Sequence, residues 1–153
     1  MRQKRTQMML VKYFCAAALL VMLTIWLQCG GIAVLIRWIR SVMEDNVDQL
    51  GFFHVAGLVV RFAIAVIVLH LVEVSLWASF YRWFCLPSWE TAFYFSAGNY
   101  ATVGCGDVSL PSNWRTFGPL ESIIGVLMCG ISGSVLFAIV TRLVSRNTPF
   151  SRK

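Results

Sequence analysis

The chain has 153 residues, of which 58% are hydrophobic and 13% charged, with a formal net charge of +6 and a mean hydropathy of +0.72. Soluble globular domains carry roughly a quarter charged residues, so that class is excluded and an integral membrane protein with little mass outside the lipid is expected. Nucleic-acid binding is not expected either, because the cations flank apolar runs, Arg2, Lys4, Arg5 and Lys12 before the first and Arg142, Arg146, Arg152 and Lys153 after the last, as membrane anchors do.

Tyr13 to Ile36 carries no charge and exceeds the roughly 20 residues that cross a bilayer as a helix. It is longer than the core of a signal peptide, about 7–15 residues. Its small residues, Cys15-Ala16-Ala17-Ala18, also stand at its start rather than its end. A retained spanning helix is therefore expected. Arg37 to His54 contains the charges Arg40, Glu44, Asp45 and Asp48, and Trp38 and Val42 recur in it at helical spacing, which predicts a short interfacial helix and a turn near Gly51. Val55 to Tyr81 is the second span, interrupted by Arg61, His70 and Glu73. Arg61 is expected to snorkel to the interface. His70 and Glu73, at i and i+3, share a helix face. Ionisable groups inside a membrane are functional candidates, so the pair reads either as a mutually satisfied contact or as a proton-sensitive brace, histidine being the side chain that titrates near neutral pH.

The connection from Tyr81 to Thr116 is too aromatic for a solvated loop, with Trp83, Phe84, Trp89, Phe93, Tyr94, Phe95, Tyr100 and Trp114. Pro87-Ser88 predicts a helix start with Ser88 as N-cap and Glu90 in the first turn. A helix from Trp89 to about Asn99 is too short to cross, and a re-entrant segment is expected. The strip Ala101-Thr102-Val103-Gly104-Cys105-Gly106-Asp107 follows it. As a thiol active site it lacks a base, since His54 and His70 are distant in sequence; as a metal site it offers one thiol and one carboxylate. A plain turn would not explain the aromatic helix before it. Alternating glycines do permit backbone forbidden to other residues, so that successive carbonyls can face one axis and replace an ion's water shell. A single chain cannot close such a ring, and several would have to share the axis.

The third span, Gly118 to Thr141, opens on Pro119 and Glu121, which suit the first turn of a helix. Gly125, Gly130 and Gly133 inside it fit either close helix packing or a bend point. The five cysteines, Cys15, Cys29, Cys85, Cys105 and Cys129, form no CxxC pair and predict no disulfide framework. With three spans the cations divide six against seven between the two membrane faces, which sets no orientation under the positive-inside rule.

Outer helix, short helix, Thr102-Val103-Gly104-Cys105-Gly106-Asp107 and inner helix together resemble the pore module of potassium channels. Residues 55 to 144 look like the small bacterial two-helix pore proteins with an extra helix in front. The resemblance implies a selectivity filter formed by Thr102, Val103, Gly104, Cys105 and Gly106, with K+ held by the carbonyls of Thr102, Val103, Gly104 and Cys105 and by the Thr102 hydroxyl. It implies Asp107, Tyr94 and Phe95 as filter supports and an inner-helix gating hinge at Gly130, with Gly133 as a second candidate. Two departures stand out: Cys105 replaces the usual large side chain, keeping the carbonyl and dropping the wedge, and Ala101 replaces a second threonine.

The expected fold is an all-α membrane protein with three transmembrane helices, a re-entrant pore helix and an extended filter, assembled as a tetrameric pore. Residues 1–54 would form the N-terminal helix and interfacial segment, 55–144 the pore domain and 145–153 a short basic tail. The expected function is passive, potassium-selective cation conduction by a homotetramer in the bacterial inner membrane. Alternatives are a weakly selective cation channel or a non-conducting subunit that modulates other channels. No enzymatic activity and no cofactor beyond permeant K+ are expected. The partners would be the lipid bilayer, further copies of the chain and an unidentified modulatory subunit. No helix repeats arginine at every third position, so no voltage sensor is expected.

Overall fold

A computed structural model describes residues 2–45, 52–104 and 106–147, with side chains placed over 11–42, 53–104 and 106–143. Every regular element among them is helical: α1 (Arg2–Asp45), α2 (Phe52–Phe84), α3 (Trp89–Tyr100), a single 3-10 turn (Ser112–Trp114) and α4 (Phe117–Asn147). Three segments, Val11–Val42, Phe53–Phe84 and Ser112–Leu143, are each 32 residues long and apolar enough to cross a membrane. At 1.5 Å per residue each measures about 48 Å, against a hydrocarbon core of about 30 Å.

The three long helices alternate in direction. At one end Tyr13 of α1 meets Trp114 edge-on, ring centroids 4.5 Å apart. Trp114 packs there against Phe80 and Phe84 of α2 and Phe117 of α4. At the other end Ile39, Leu58, Phe62 and Leu143 form a second apolar cluster. Lipid offers polar side chains no partner, so those inside the spans pair with one another. Trp77 Nε1 donates to Thr24 Oγ1 at 3.0 Å. Gln28 Nε2 lies 3.0 Å from the Met128 carbonyl and 2.7 Å from Ser132 Oγ. These bonds and the seat of Gly31 beneath the Leu69 side chain hold α1 against α2 and α4.

The expected interfacial helix from Arg37 does not form as a separate element. α1 continues without a break to Asp45, because Ile39 is buried between α2 and α4 and Trp38 packs beside it. The turn expected near Gly51 lies outside the described residues, as does the end of the basic tail. Arg61 is exposed on α2.

α3 forms where expected. Ser88 caps it, its hydroxyl accepting from the Thr91 amide at 3.1 Å, with Glu90 in the first turn. It then runs back alongside α2: Phe95 sits edge-on to Tyr81, Ser96 reaches the Val74 carbonyl at 2.9 Å and Tyr100 reaches His70. From Phe84 to His70 is fourteen residues of α2, about 21 Å along a helix. Tyr100 therefore stands near the middle of the span, and the chain re-enters to that depth before returning to the level of Trp114.

Candidate functional site

The strip after α3 is tied down on its amide side. Thr102 N donates to the Asn99 carbonyl at 2.9 Å, and Val103 N and Gly104 N both donate to the Gly98 carbonyl, at 2.8 and 3.0 Å. Thr102 has φ 61° and Gly104 φ 78°, both left-handed, while Val103 between them does not. Glycine adopts this freely, whereas a β-branched residue there is uncommon and costs about 1–3 kcal/mol. The helix-end hydrogen bonds offset that cost. Residues 101–104 are exposed, Val103 at 81%.

What stands behind the strip is a polar scaffold inside an apolar bundle. The Asn99 carbonyl also accepts from Ser122 Oγ of α4 at 2.8 Å, and Asn99 Nδ2 donates to the Phe95 carbonyl. Gly125 of α4 lies directly under the Tyr100 carbonyl, where any Cβ would collide with it. The Tyr100 hydroxyl donates to Glu73 Oε2. His70 Nδ1 lies 2.9 Å from the same hydroxyl and 3.2 Å from Glu73 Oε2. Glu73 is fully buried, and its Oε1 has no hydrogen-bond partner among the described residues.

Glu121 is a second buried carboxylate one turn further back. It accepts from the Tyr81 hydroxyl at 2.8 Å and contacts Ser96 Oγ at 2.5 Å. Ser96 and Tyr100 are four apart on one face of α3, so carboxylates from α4 and α2 grip successive turns of the same helix. This corrects the sequence reading of Glu121 as a first-turn charge. α4 begins at Phe117, and Glu121, its fifth residue, is fully buried because α2 and α3 pack over it and bring it Tyr81 and Ser96.

The remaining candidate residues are more dispersed. The Tyr94 hydroxyl donates to Asp107 Oδ1 over a long 3.4 Å, joining the helix to the far end of the strip. Phe95 is buried in the core with Trp77, Tyr81 and Phe117, whereas its neighbour Tyr94 is exposed. Cys105 lies outside the described residues. Gly106 is exposed. The glycines of α4 divide: Gly118 and Gly125 are packing contacts, whereas Gly130 and Gly133 have nothing within 4 Å of an added Cβ. Sequence reasoning paired His70 with Glu73 but missed Tyr100 as their companion and the separate contact of Glu121 with Tyr81 and Ser96. The available signal was the recurrence of Ser96 and Tyr100 at helical spacing in an otherwise apolar segment. Among the described residues no three of His, Cys, Asp and Glu gather as a metal cluster would.

A family model described as an ion channel matches residues 62–142, which takes in α2 from Phe62, α3, the strip and α4 as far as Arg142. No curated protein and no solved structure matches the chain.

Proposed function

The chain belongs to the ion channel family, and from that premise we propose that it is a passive, potassium-selective channel whose filter is the strip Thr102–Gly106 of four chains around one axis. The supporting observation is the strip's backbone. Its amides hang from the end of α3, and left-handed residues alternate at Thr102 and Gly104 near the depth of the bilayer centre. With the N–H groups engaged behind, the carbonyls of Thr102, Val103, Gly104 and Cys105 and the Thr102 hydroxyl supply the oxygens that replace a K+ hydration shell. One strip is an arc, and four arcs close a ring, which is why we assign a homotetramer. The C-terminal, partially negative end of α3 points toward the same cations. Asp107, reached by Tyr94, supports the outer end, and Gly130 and Gly133 are the hinge candidates. By likeness to small bacterial pore proteins, the site of action is the bacterial inner membrane.

The test is flux through the purified full chain in liposomes. K+ current is expected, with a reversal potential that follows the K+ gradient rather than the Na+ gradient. Cys105→Tyr restores a large side chain behind the filter and is expected to sharpen selectivity. Absence of flux across pH and voltage would instead favour a non-conducting subunit, and equal K+ and Na+ permeability would favour a weakly selective pore.

A further inference from the structure

Cys105 supplies no large side chain to wedge the strip from behind, yet the strip still needs a fixed distance from the outer helix. Tyr100 is placed to set it. Its neighbours in the last turn of α3, Gly98 and Asn99, carry the carbonyls from which Thr102, Val103 and Gly104 hang. Its own carbonyl rests on Gly125. Its ring is buried, and its hydroxyl ends on Glu73 and His70 of α2. The backbone is thus gripped by α4 and the side chain by α2, so movement of the Tyr100 hydroxyl displaces the residue that supports the strip.

Resting on the channel reading above, we propose that Tyr100, held by Glu73, is a positioning residue that sets ion selectivity by fixing the strip Thr102–Gly104 against the outer helix. The hydroxyl-to-carboxylate bond does for this filter what bulk at position 105 would otherwise do. Discrimination between K+ and Na+ depends on the spacing and field of coordinating carbonyls. Removing one hydroxyl therefore acts on selectivity without touching an ion ligand.

The experiment compares full-length variants in liposomes by reversal potential under opposed K+ and Na+. Tyr100→Phe keeps the ring and loses the bond, and the K+/Na+ permeability ratio is expected to fall about tenfold. Glu73→Leu, which removes the carboxylate acceptor and leaves the tyrosine with His70 Nδ1 as its remaining partner, is expected to lower the ratio in the same direction. The double variant should be no worse than either single change, as coupled partners require. Glu73→Gln, which can still accept from the hydroxyl, should remain within about twofold of the parent protein. Trp77→Phe, which cuts the bond to Thr24 of α1 one turn along α2 from Glu73, should leave the ratio unchanged. If Tyr100→Phe does not fold, the Glu73→Leu and Glu73→Gln pair carries the same comparison. The inference is overturned if Tyr100→Phe and Glu73→Leu keep the parent ratio, or if Trp77→Phe lowers it as much. A parent chain that passes no cations removes the channel reading and this inference with it; one that conducts, with unaltered variants, removes the inference alone.

Discussion

At Cys85, burial pushes the thiol up from its ordinary 9.0 to about 11, because a thiolate loses hydration at the packed end of α2. The thiolate is the nucleophile, so the sign is clear: raising the value lowers the reactive fraction at any pH below it. In a variant with its other cysteines replaced, maleimide labelling of Cys85 is expected to be slow at about pH 8. Its rate should still rise tenfold per pH unit beyond about pH 9, where an unshifted thiol levels off. Levelling near pH 9 would mean that the thiol is hydrated. The same physics makes Tyr100 legible only in part from sequence. A tyrosine in an aromatic segment gives no sign of whether its hydroxyl is wet or, as here, engaged by a carboxylate 27 residues away.

Among the elements, the glycines of α4 have opposite duties that their spacing does not separate. Gly125→Ala drives a Cβ into the Tyr100 carbonyl, and backbone cannot move aside cheaply. Overpacking of this kind costs about 1–3 kcal/mol, read as earlier unfolding in mixed micelles with rising detergent denaturant. Gly130→Ala meets nothing and replaces the poorer helix former, so stability should hold or rise by up to about 1 kcal/mol. If Gly130 is a hinge, open probability changes in single-channel records while stability does not fall. Equal destabilisation by both substitutions would contradict the packing described here. α3 shows the converse case, an element well read in advance. Its proline, its serine cap and its first-turn glutamate are local signals, and the helix starts where they say.

For the whole molecule, the docking of α1 was not legible at all beyond its existence as a span. Gln28 joins it to α4 through the Met128 carbonyl and Ser132, yet its own Oε1 is buried without a partner among the described residues. Gln28→Leu removes the bonds and the orphaned oxygen together. Bonds between membrane helices average only about 0.6 kcal/mol each, so the net change should stay below about 1 kcal/mol. Gln28→Ala also leaves a void and should cost about 2 kcal/mol more. Equal stability of the two variants in mixed-micelle unfolding would show that Gln28 is not enclosed. The family match begins at Phe62, so α1 adds contacts outside the matched region, made through Thr24, Gln28 and Gly31.

The sequence by itself determined the solvent, the three spans, the re-entrant helix and the glycine-bearing strip. Each of these is written in runs of neighbouring residues: hydropathy summed over a span, a cap beside its helix, glycines two apart. Tertiary structure alone decided which polar groups meet. Glu121 with Tyr81 and Ser96, Glu73 with Tyr100, and Gln28 with Ser132 are separated by 25 to 104 residues. In lipid a buried polar group must take whichever partner the packing brings within reach. That choice depends on helix register and crossing, which no local pattern of residues specifies.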